Sequence, residues 1–424
     1  MPAVRINTDP KLHVSVEEAV VLLCEKLPFP KGKQQVELQQ AMHRILAEDF
    51  VTPFPMPPFR RSAMDGYAVS SEWTAAASPV NKAVFPVAGE TRAGGHRQDA
   101  EGKSMPVQSV MRIFTGAPVP DGFDAVVVQE MAKPFVKRDG QKWMEIDRPA
   151  LAGTHIAEAG EDVPAQTVLL KKGKPVGLRE TAILASYGHS AAFVYPKPVV
   201  AVLPIGDELL TAGQPLLPHH IYDANGITVN AFARMAGADT MLHAPIADRL
   251  EAIEAALHAA QEQAELIVTT GGISVGDYDY AGRAAIRCGW EPLFTKVLMR
   301  PGTPTSSYRK GEKLLICLSG NPSACYSALE LLVKPVLMKL SGQSGYKSVW
   351  LEGILEAPIT KPCPYPRFIR ATTCYAGGQW RVAPLTNDRS GNIAAFAEAT
   401  ALAVIPAGGR GAGAGEAVRF IQLT

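Results

Sequence analysis

The 424-residue sequence has no CxxC pair among its six cysteines, Cys24, Cys288, Cys317, Cys325, Cys363 and Cys374. Structural zinc and thioredoxin-like chemistry are therefore not expected, and the scatter fits a reduced cytosolic protein. Charge of one sign is not in excess: 42 Lys+Arg stand against 41 Asp+Glu. A general nucleic-acid binder is not expected from that balance, although a local basic pocket remains open. No uncharged apolar run approaches the roughly 20 residues of a membrane span. The first fifteen residues, MPAVRINTDPKLHVS, hold no apolar core of a secretory signal. These absences predict a cytoplasmic protein with no membrane and no nucleic-acid partner. The nine histidines show neither HxH nor HExxH spacing. No Ser/His/Asp arrangement can be assigned from spacing, and no repeat of solenoid period occurs.

What is present is a multidomain α/β plus β pattern. The length exceeds what one core serves. Residues 15–28 read as a helix, with Ser15 and Glu18 at capping-box spacing and Val20, Leu23 and Leu27 on one face. A second short helix is expected over 37–48. The prolines Pro53, Pro55, Pro57 and Pro58 then argue against regular structure until Gly66. From Tyr67 to about residue 150, short β-like segments such as VFPVAGE, SVMRIFTG and DAVVVQE alternate with turns, as in a small, mostly β domain. Residues 151–195 are mixed, with glycine turns at Gly153, Gly160 and Gly173. From Pro198 strand-like and helical patterns alternate, which argues for an open, largely parallel sheet covered by helices. Asn321 and Pro322 start a long helix expected to run to Gly342. After Gly342 the chain is again β-like, as in a small barrel or sandwich. The expected domains are an N-terminal helix region over 1–30 packing with the α/β domain, a mixed domain from 31–52 and 151–196, the β domain over 53–150, the α/β domain over 197–345 and the β-barrel over 346–424.

The stretch Glu265–Tyr280, ELIVTTGGISVGDYDY, carries the most chemistry. An apolar strand runs into Gly271 and Gly272, then Ser274 and Gly276, and closes on Asp277 and Asp279. Glycines let the backbone approach a ligand, and N–H groups around the next helix start point at negative charge. The loop matches neither GxxxxGK[ST] nor GxGxxG, so a P-loop and a Rossmann dinucleotide site both lose support. A purely structural glycine turn and a helix-capping Asp279 are the plain alternatives. Asp65 in MDG, Asp162 in GED and the pair Asp207–Glu208 in GDEL are further acids of the kind that hold a hard cation such as Mg²⁺ beside substrate phosphates. Asp65 has a turn alternative, and Asp248 with Glu251 has capping-box spacing. Lys296 and Arg300, before PGTP, are placed to neutralise an oxyanion, against a plain reading as solvated charge. Ser319, Gly320 and Asn321 open a helix whose N-terminus is a candidate anion site. Thr115 in FTGAPVP sits at a turn, free to cap or to touch a ligand.

Taken together, PPFRRSAMDGYAV (57–69), RIFTGAPVPDGFDAVVVQE (112–130), GED (160–162), GDEL (206–209), YDANG (222–226), TTGGISVGDYDY (269–280), PGTP (301–304), LSGNPSA (318–324) and SGNI (390–393) closely resemble the molybdopterin molybdenumtransferase family, the MoeA and gephyrin E-domain group. The resemblance implies a molybdopterin-binding-like α/β domain with a small, mostly β domain upstream and a C-terminal β-barrel. It further implies a homodimer whose active site lies in a cleft between subunits. The implied reaction takes adenylylated molybdopterin, molybdate and Mg²⁺, cleaves the phosphoanhydride, releases AMP and leaves molybdenum on the dithiolene sulfurs. Protein partners would be an upstream adenylyltransferase and downstream cofactor-handling proteins.

By motif, Asp65, Glu208 and Asp279 take catalytic roles in this reading. Thr115, Asp162, Asp248, Gly271, Gly272, Ser274, Gly276, Lys296, Arg300, Ser319, Gly320, Asn321, Arg370 and Ser390 contact substrate. Asp207, Glu208, Asp248, Asp277 and Asp279 form the Mg²⁺ set. The sequence departs from the family pattern in several places. Arg60 replaces an acid, Pro204 and Ile205 replace two hydroxyl residues, and Ser319 replaces a proline. His155 and Ala157 stand for asparagine and arginine, and Thr303 for lysine. These lost hydroxyls and charges lower the molybdate affinity to be expected. They favour one further reading, a catalytically weak pterin- or oxyanion-binding scaffold; within the same class the nearest alternative is a tungstate-specific paralogue.

Overall fold

The computed structural model describes residues 13–25, 27–94, 97–99, 108–273, 280–386 and 391–423. The chain separates into two compact units, one spanning residues 49–171 and the other formed by residues 1–48 with 172–424.

The larger unit is built on a six-stranded sheet. Its strands are β1 (Val199–Pro204), β2 (Asp239–Leu242), β3 (Leu266–Thr270), β4 (Glu291–Phe294), β5 (Ser306–Lys310) and β6 (Lys313–Leu318). They lie in the order β2-β1-β3-β6-β5-β4. The first four are parallel, and β5 and β4 extend the sheet antiparallel. β1, β3 and β6 read as continuous apolar, β-branched runs because both faces are covered. On one face Val200, Val202, Leu266, Val268, Leu314 and Ile316 pack against α1 (Ala224–Met235) and the helix Val16–Glu25. On the other, Ala201, Leu203, Ile267, Leu315 and Cys317 meet α2 (Leu250–Gln263) and α3 (Tyr280–Arg287). Odd and even positions of each strand thus serve different helix layers, as the pleat requires. α2 buries Ile253, Leu257 and Ala260 completely, at the spacing of one helical face.

The helix Val16–Glu25 starts at the expected capping box: Ser15 Oγ accepts from Glu18 N (3.1 Å) and Glu18 Oε2 accepts from Ser15 N (2.9 Å). The long helix after β6 begins at Pro322 as expected but is not uniform. α4 (Pro322–Ala328) passes through a π segment, Leu329–Val333, into α5 (Lys334–Leu340). Pro335 has no N–H for the Leu331 carbonyl, and the wider π turn just before it accommodates its ring. The C-terminal strands close into a barrel, β7 (Leu351–Leu355), β9 (Gln379–Pro384), β8 (Arg367–Ala376), β10 (Ala401–Ile405) and β11 (Ala417–Gln422) in spatial order. Phe368, Leu402 and Ile421 of this barrel join the core on the α1 side of the sheet.

The smaller unit is mostly β, as its alternating pattern indicates. Gly66–Val69 pairs with both Val110–Ile113 and Ala125–Val128, and Ala83–Thr91 extends the sheet. Its core gathers Tyr67, Phe85, Val110, Met144 and Ile146.

Two local expectations fail. The helix over 37–48 is a single 3-10 turn, Leu38–Ala41. Gln34–Glu37 instead pairs with Ala191–Val194, and Ile45 and Leu46 bridge to Pro175 and Val194, so backbone pairing overrides a weak helical period. The proline-rich segment is also not wholly irregular. Phe50–Val51 and Arg61–Ser62, on either side of the prolines, each form a two-residue strand.

Among the described residues no helix is long and apolar enough to cross a membrane. Five cysteines are buried and Cys374 is exposed. Burial pushes the Cys24 thiol up to about 11 and Cys325 up to about 12. A thiol-reactive chromophore is therefore expected to titrate one thiol in the native protein and six after denaturation. A second thiol reacting natively at a similar rate would contradict this burial pattern.

Candidate functional site

Register places Pro204 of β1, Thr270 of β3 and Leu318 of β6 at one level. The segments that follow them therefore emerge side by side. β1 connects through α1 to β2 on one side, and α2 returns the chain to β3 on the other. The carboxyl ends of β1 and β3 thus flank the topological switch point, where open α/β sheets bind ligands. The glycine pair serves this approach. Gly271 has φ +84°, and a Cβ there would lie 2.2 Å from the Ile205 carbonyl oxygen. Gly272 has φ +64°, and its Cβ would press on the Ile205 side chain at 2.9 Å. Gly320 backs onto Gly271, and its carbonyl accepts from Asn225 Nδ2 (2.7 Å).

At the β1 end, Gly206 N donates to Ile246 O (3.0 Å) and Asp248 N donates to Asp207 Oδ1 (3.1 Å). These contacts draw Asp248 to Asp207 and Glu208, so the structure brings together three acids of the expected Mg²⁺ set. Glu208 lies over Gly206, where a Cβ would come within 2.7 Å of its Oε2. Asp248 does not cap α2: that position is Arg249, with no side-chain cap bond. The connection after β2 carries Asp248 to the β1 end instead. Its Oδ1 is buried without a hydrogen-bond partner. Burial first, then the charges of Asp207 and Glu208, raise its pKa above the ordinary aspartate range. Among the described residues no three His, Cys, Asp or Glu side chains are close enough to hold a metal alone. Ser274, Gly276, Asp277 and Asp279 lie outside the described residues, as does Ser390.

The basic candidates separate. Lys296 sits in a short strand pair with His13–Val14. Arg300 and Arg370 line a cavity of about 540 Å³ with Thr303, Ser323, Lys361 and Arg367. Arg370 is buried, donates from Nη1 to Asn392 O (2.8 Å) and stacks its guanidinium 4.8 Å from the Phe396 ring centre. Asn321 caps α4, accepting from Ser323 N (3.2 Å) and Ala324 N (3.4 Å). Two of the donors expected for an anion are thus already taken. Ser319 Oγ accepts from Asn321 N (3.2 Å). Lys361, Arg367 and Ser323 were not among the expected contacts, because nothing in their spacing separates them from surface charge or helix start.

In the smaller unit, Asp65 Oδ1 accepts from both Thr115 N (2.8 Å) and Thr115 Oγ1 (2.7 Å). The Thr115 backbone N–H first, then its hydroxyl and the Arg112 charge, hold the Asp65 carboxyl below the ordinary range. Gly66 is required beside it, since a Cβ would lie 2.0 Å from the Val127 carbonyl oxygen. Asp162 is exposed at a turn, its N–H donating to Met56 O (3.1 Å). Arg60, the replaced acid, pairs with Glu158 at 3.1 Å.

Residues 14–188 match the MoeA N-terminal region (domains I and II), 201–339 a family described as "Probable molybdopterin binding domain", and 352–423 the MoeA C-terminal region (domain IV). The chain belongs to the MoeA family. Curated relatives named molybdopterin molybdenumtransferase agree along nearly the whole length. That of Bacillus subtilis (strain 168) is 37% identical over 412 residues, 97% of this chain and 94% of its own. That of Staphylococcus epidermidis (strain ATCC 12228) is 33% identical over 420 residues, 98% of this chain and 97% of its own. The crystal structure of the molybdopterin biosynthesis moeA protein from Pyrococcus horikoshii OT3 superposes with a TM-score of 0.80 at 28% identity, covering 97% of this chain and 100% of that one. MoeA-family membership makes this chain one of a family of transferases, and the C-terminal barrel agrees with it.

Two consequences are testable. Gly271→Ala combines a left-handed backbone with a backbone clash, so it is expected to destabilise the larger unit by about 1–3 kcal/mol or more. An unchanged urea midpoint would show that the crevice can open. Asp65 has a depressed pKa. The stability of its contact with Thr115 is thus present above the ordinary aspartate range and lost as pH falls through the lowered value. Thr115→Val removes the hydroxyl donor and is expected to move the Asp65 pKa back upward in a carboxyl NMR titration.

Proposed function

We propose that this chain is a molybdopterin molybdenumtransferase, taking adenylylated molybdopterin and molybdate, cleaving the phosphoanhydride with Mg²⁺, releasing AMP and leaving molybdenum on the dithiolene sulfurs. The observation that carries this reading is the buried, unpartnered Oδ1 of Asp248 beside Asp207 and Glu208, at the switch point of the sheet. A carboxylate oxygen held there without a partner suits a hard cation, which takes one or two carboxylates and completes its shell with water and substrate phosphates. When bound, Mg²⁺ supplies charge neutralisation across the phosphoanhydride.

Asp207, Glu208 and Asp248 hold the cation in this reading, joined by Asp277 and Asp279. The glycine pair lets the pterin phosphate approach the backbone. Lys296, Arg300 and Arg370 balance the charge of the oxyanion substrate. Asp65 and Thr115 form one preset donor–acceptor pair, and Asp162 serves the same substrate. A homodimer in the cytoplasm belongs to the same reading. So do an adenylyltransferase supplying substrate and cofactor-handling proteins receiving product.

The test follows AMP release over time from purified chain, adenylylated molybdopterin, Mg²⁺ and molybdate. Glu208→Gln and Asp248→Asn are each expected to slow AMP release by about 10²-fold. Unchanged turnover in both would sink the assignment. Tight substrate binding by the parent chain without AMP release would favour the scaffold reading instead.

A further inference from the structure

The cavity under the barrel holds an electrostatic conflict that the protein itself does not resolve. Arg300 and Arg367 are partners in a parallel β-bridge. Arg300 N donates to Pro366 O (3.0 Å) and Phe368 N donates to Arg300 O (2.7 Å), so the two backbones are pinned together. Bridge partners stand about 4.8 Å apart and direct their side chains to one face. Both arginines accordingly line the same cavity, with Lys361 on its wall, and among the described residues the one contact of the Arg367 guanidinium is a neutral one, Nη2 donating to Pro362 O (3.4 Å). Like charges directly opposite one another are destabilising. Among the described residues no carboxylate pairs with Arg300, Arg367 or Lys361, and none lines the cavity.

A second observation points into the same space. Ser323 is 5% exposed and lines the cavity, yet its Oγ has no hydrogen-bond partner. A buried hydroxyl left unpaired costs free energy unless a ligand completes it. The neighbouring hydroxyl is committed elsewhere: Thr303 Oγ1 donates to Met299 O (2.6 Å). Thr303 therefore offers the cavity neither charge nor a free donor.

We propose that Arg367 is a specificity-determining residue for the oxyanion substrate. With Arg300 it forms a bridged pair of guanidiniums that grips a tetrahedral dianion, with Lys361 and the Ser323 hydroxyl completing the shell. Arg367 thereby supplies, from the barrel, the positive charge that position 303 lacks. Two forked donors side by side match the edges of a tetrahedral oxyanion, and a charge of minus two neutralises the pair. The identity of the dianion as the metal oxyanion rests on the molybdenum-transfer reading. The same chemistry would also accept the phosphate of a nucleotide.

Calorimetric titration at constant ionic strength separates these. Sodium molybdate, inorganic phosphate and AMP are each titrated into the parent chain and into Arg367→Gln and Arg367→Lys. Arg367→Gln is expected to bind molybdate at least tenfold more weakly, and Arg367→Lys to recover part of the loss. In oxyanion-free buffer the thermal midpoint of Arg367→Gln should equal or exceed that of the parent, because the repulsion is relieved. A purely structural arginine would lower that midpoint, and such a result would overturn the proposal. So would molybdate binding unchanged in Arg367→Gln. Arg367-dependent binding of phosphate or AMP, with none of molybdate, would also overturn it by assigning the pair to a nucleotide. Arg367-dependent molybdate binding without AMP release would refute the proposed reaction while leaving this site standing.

Discussion

The contact on which the α/β layer's site depends is the approach of Gly271 to the Ile205 carbonyl. A Cβ at 271 would sit 2.2 Å from that oxygen, so the loop after β3 reaches the end of β1 only because the residue has no side chain. This approach fixes the geometry of the switch point. Gly320 then packs on Gly271, and Asn225 holds the Gly320 carbonyl, so the start of α4 is tied to the same place. One backbone contact thus organises the segments after three strands. It requires the flanking strands to be buried on both faces, which their apolar runs ensure.

Charge in the larger unit is arranged so that each sign is left partly unsatisfied. Asp207, Glu208 and Asp248 gather at the end of β1, with one carboxylate oxygen buried and unpaired. Arg300 and Arg367 are bridged at the barrel. Neither cluster is the arrangement that stability alone would select, since like charges held together repel and buried polar atoms without partners cost free energy. Backbone hydrogen bonds hold both against that repulsion: Gly206 to Ile246 at one, Arg300 to Pro366 and Phe368 to Arg300 at the other. Such preset strain is what a site for a cation and an oxyanion requires, because a bound ligand supplies the partners these groups lack within the protein.

Much of this was legible beforehand. The βα alternation from residue 198, the capping box at Ser15–Glu18 and the cap at Asn321 followed from periodicity and local hydrogen-bonding chemistry, and all occur. The helix expected over 37–48 did not form, because pairing with Ala191–Val194 lies more than 140 residues away in sequence and leaves no local signal. The helix-cap alternative for Asp248 arose for the same kind of reason: its spacing to Glu251 is local, whereas its proximity to Asp207 depends on how the chain leaves β2. Arg367 and Ser323 carried no motif at all. Their significance arises from a bridge and a cavity, which are properties of the folded chain.

By itself, the sequence determined the strands and helices of the α/β layer, where glycines let backbones approach and which family's motifs run in order along the chain. These are local properties, set by side-chain size, backbone freedom and burial period. The family motifs grouped Asp207, Glu208 and Asp248, but only the tertiary structure decided how charges meet in space. Asp248 joins Asp207 and Glu208, and Arg367 joins Arg300, through contacts between elements distant in sequence. Electrostatic energy depends on separation in space, and the fold alone sets that separation.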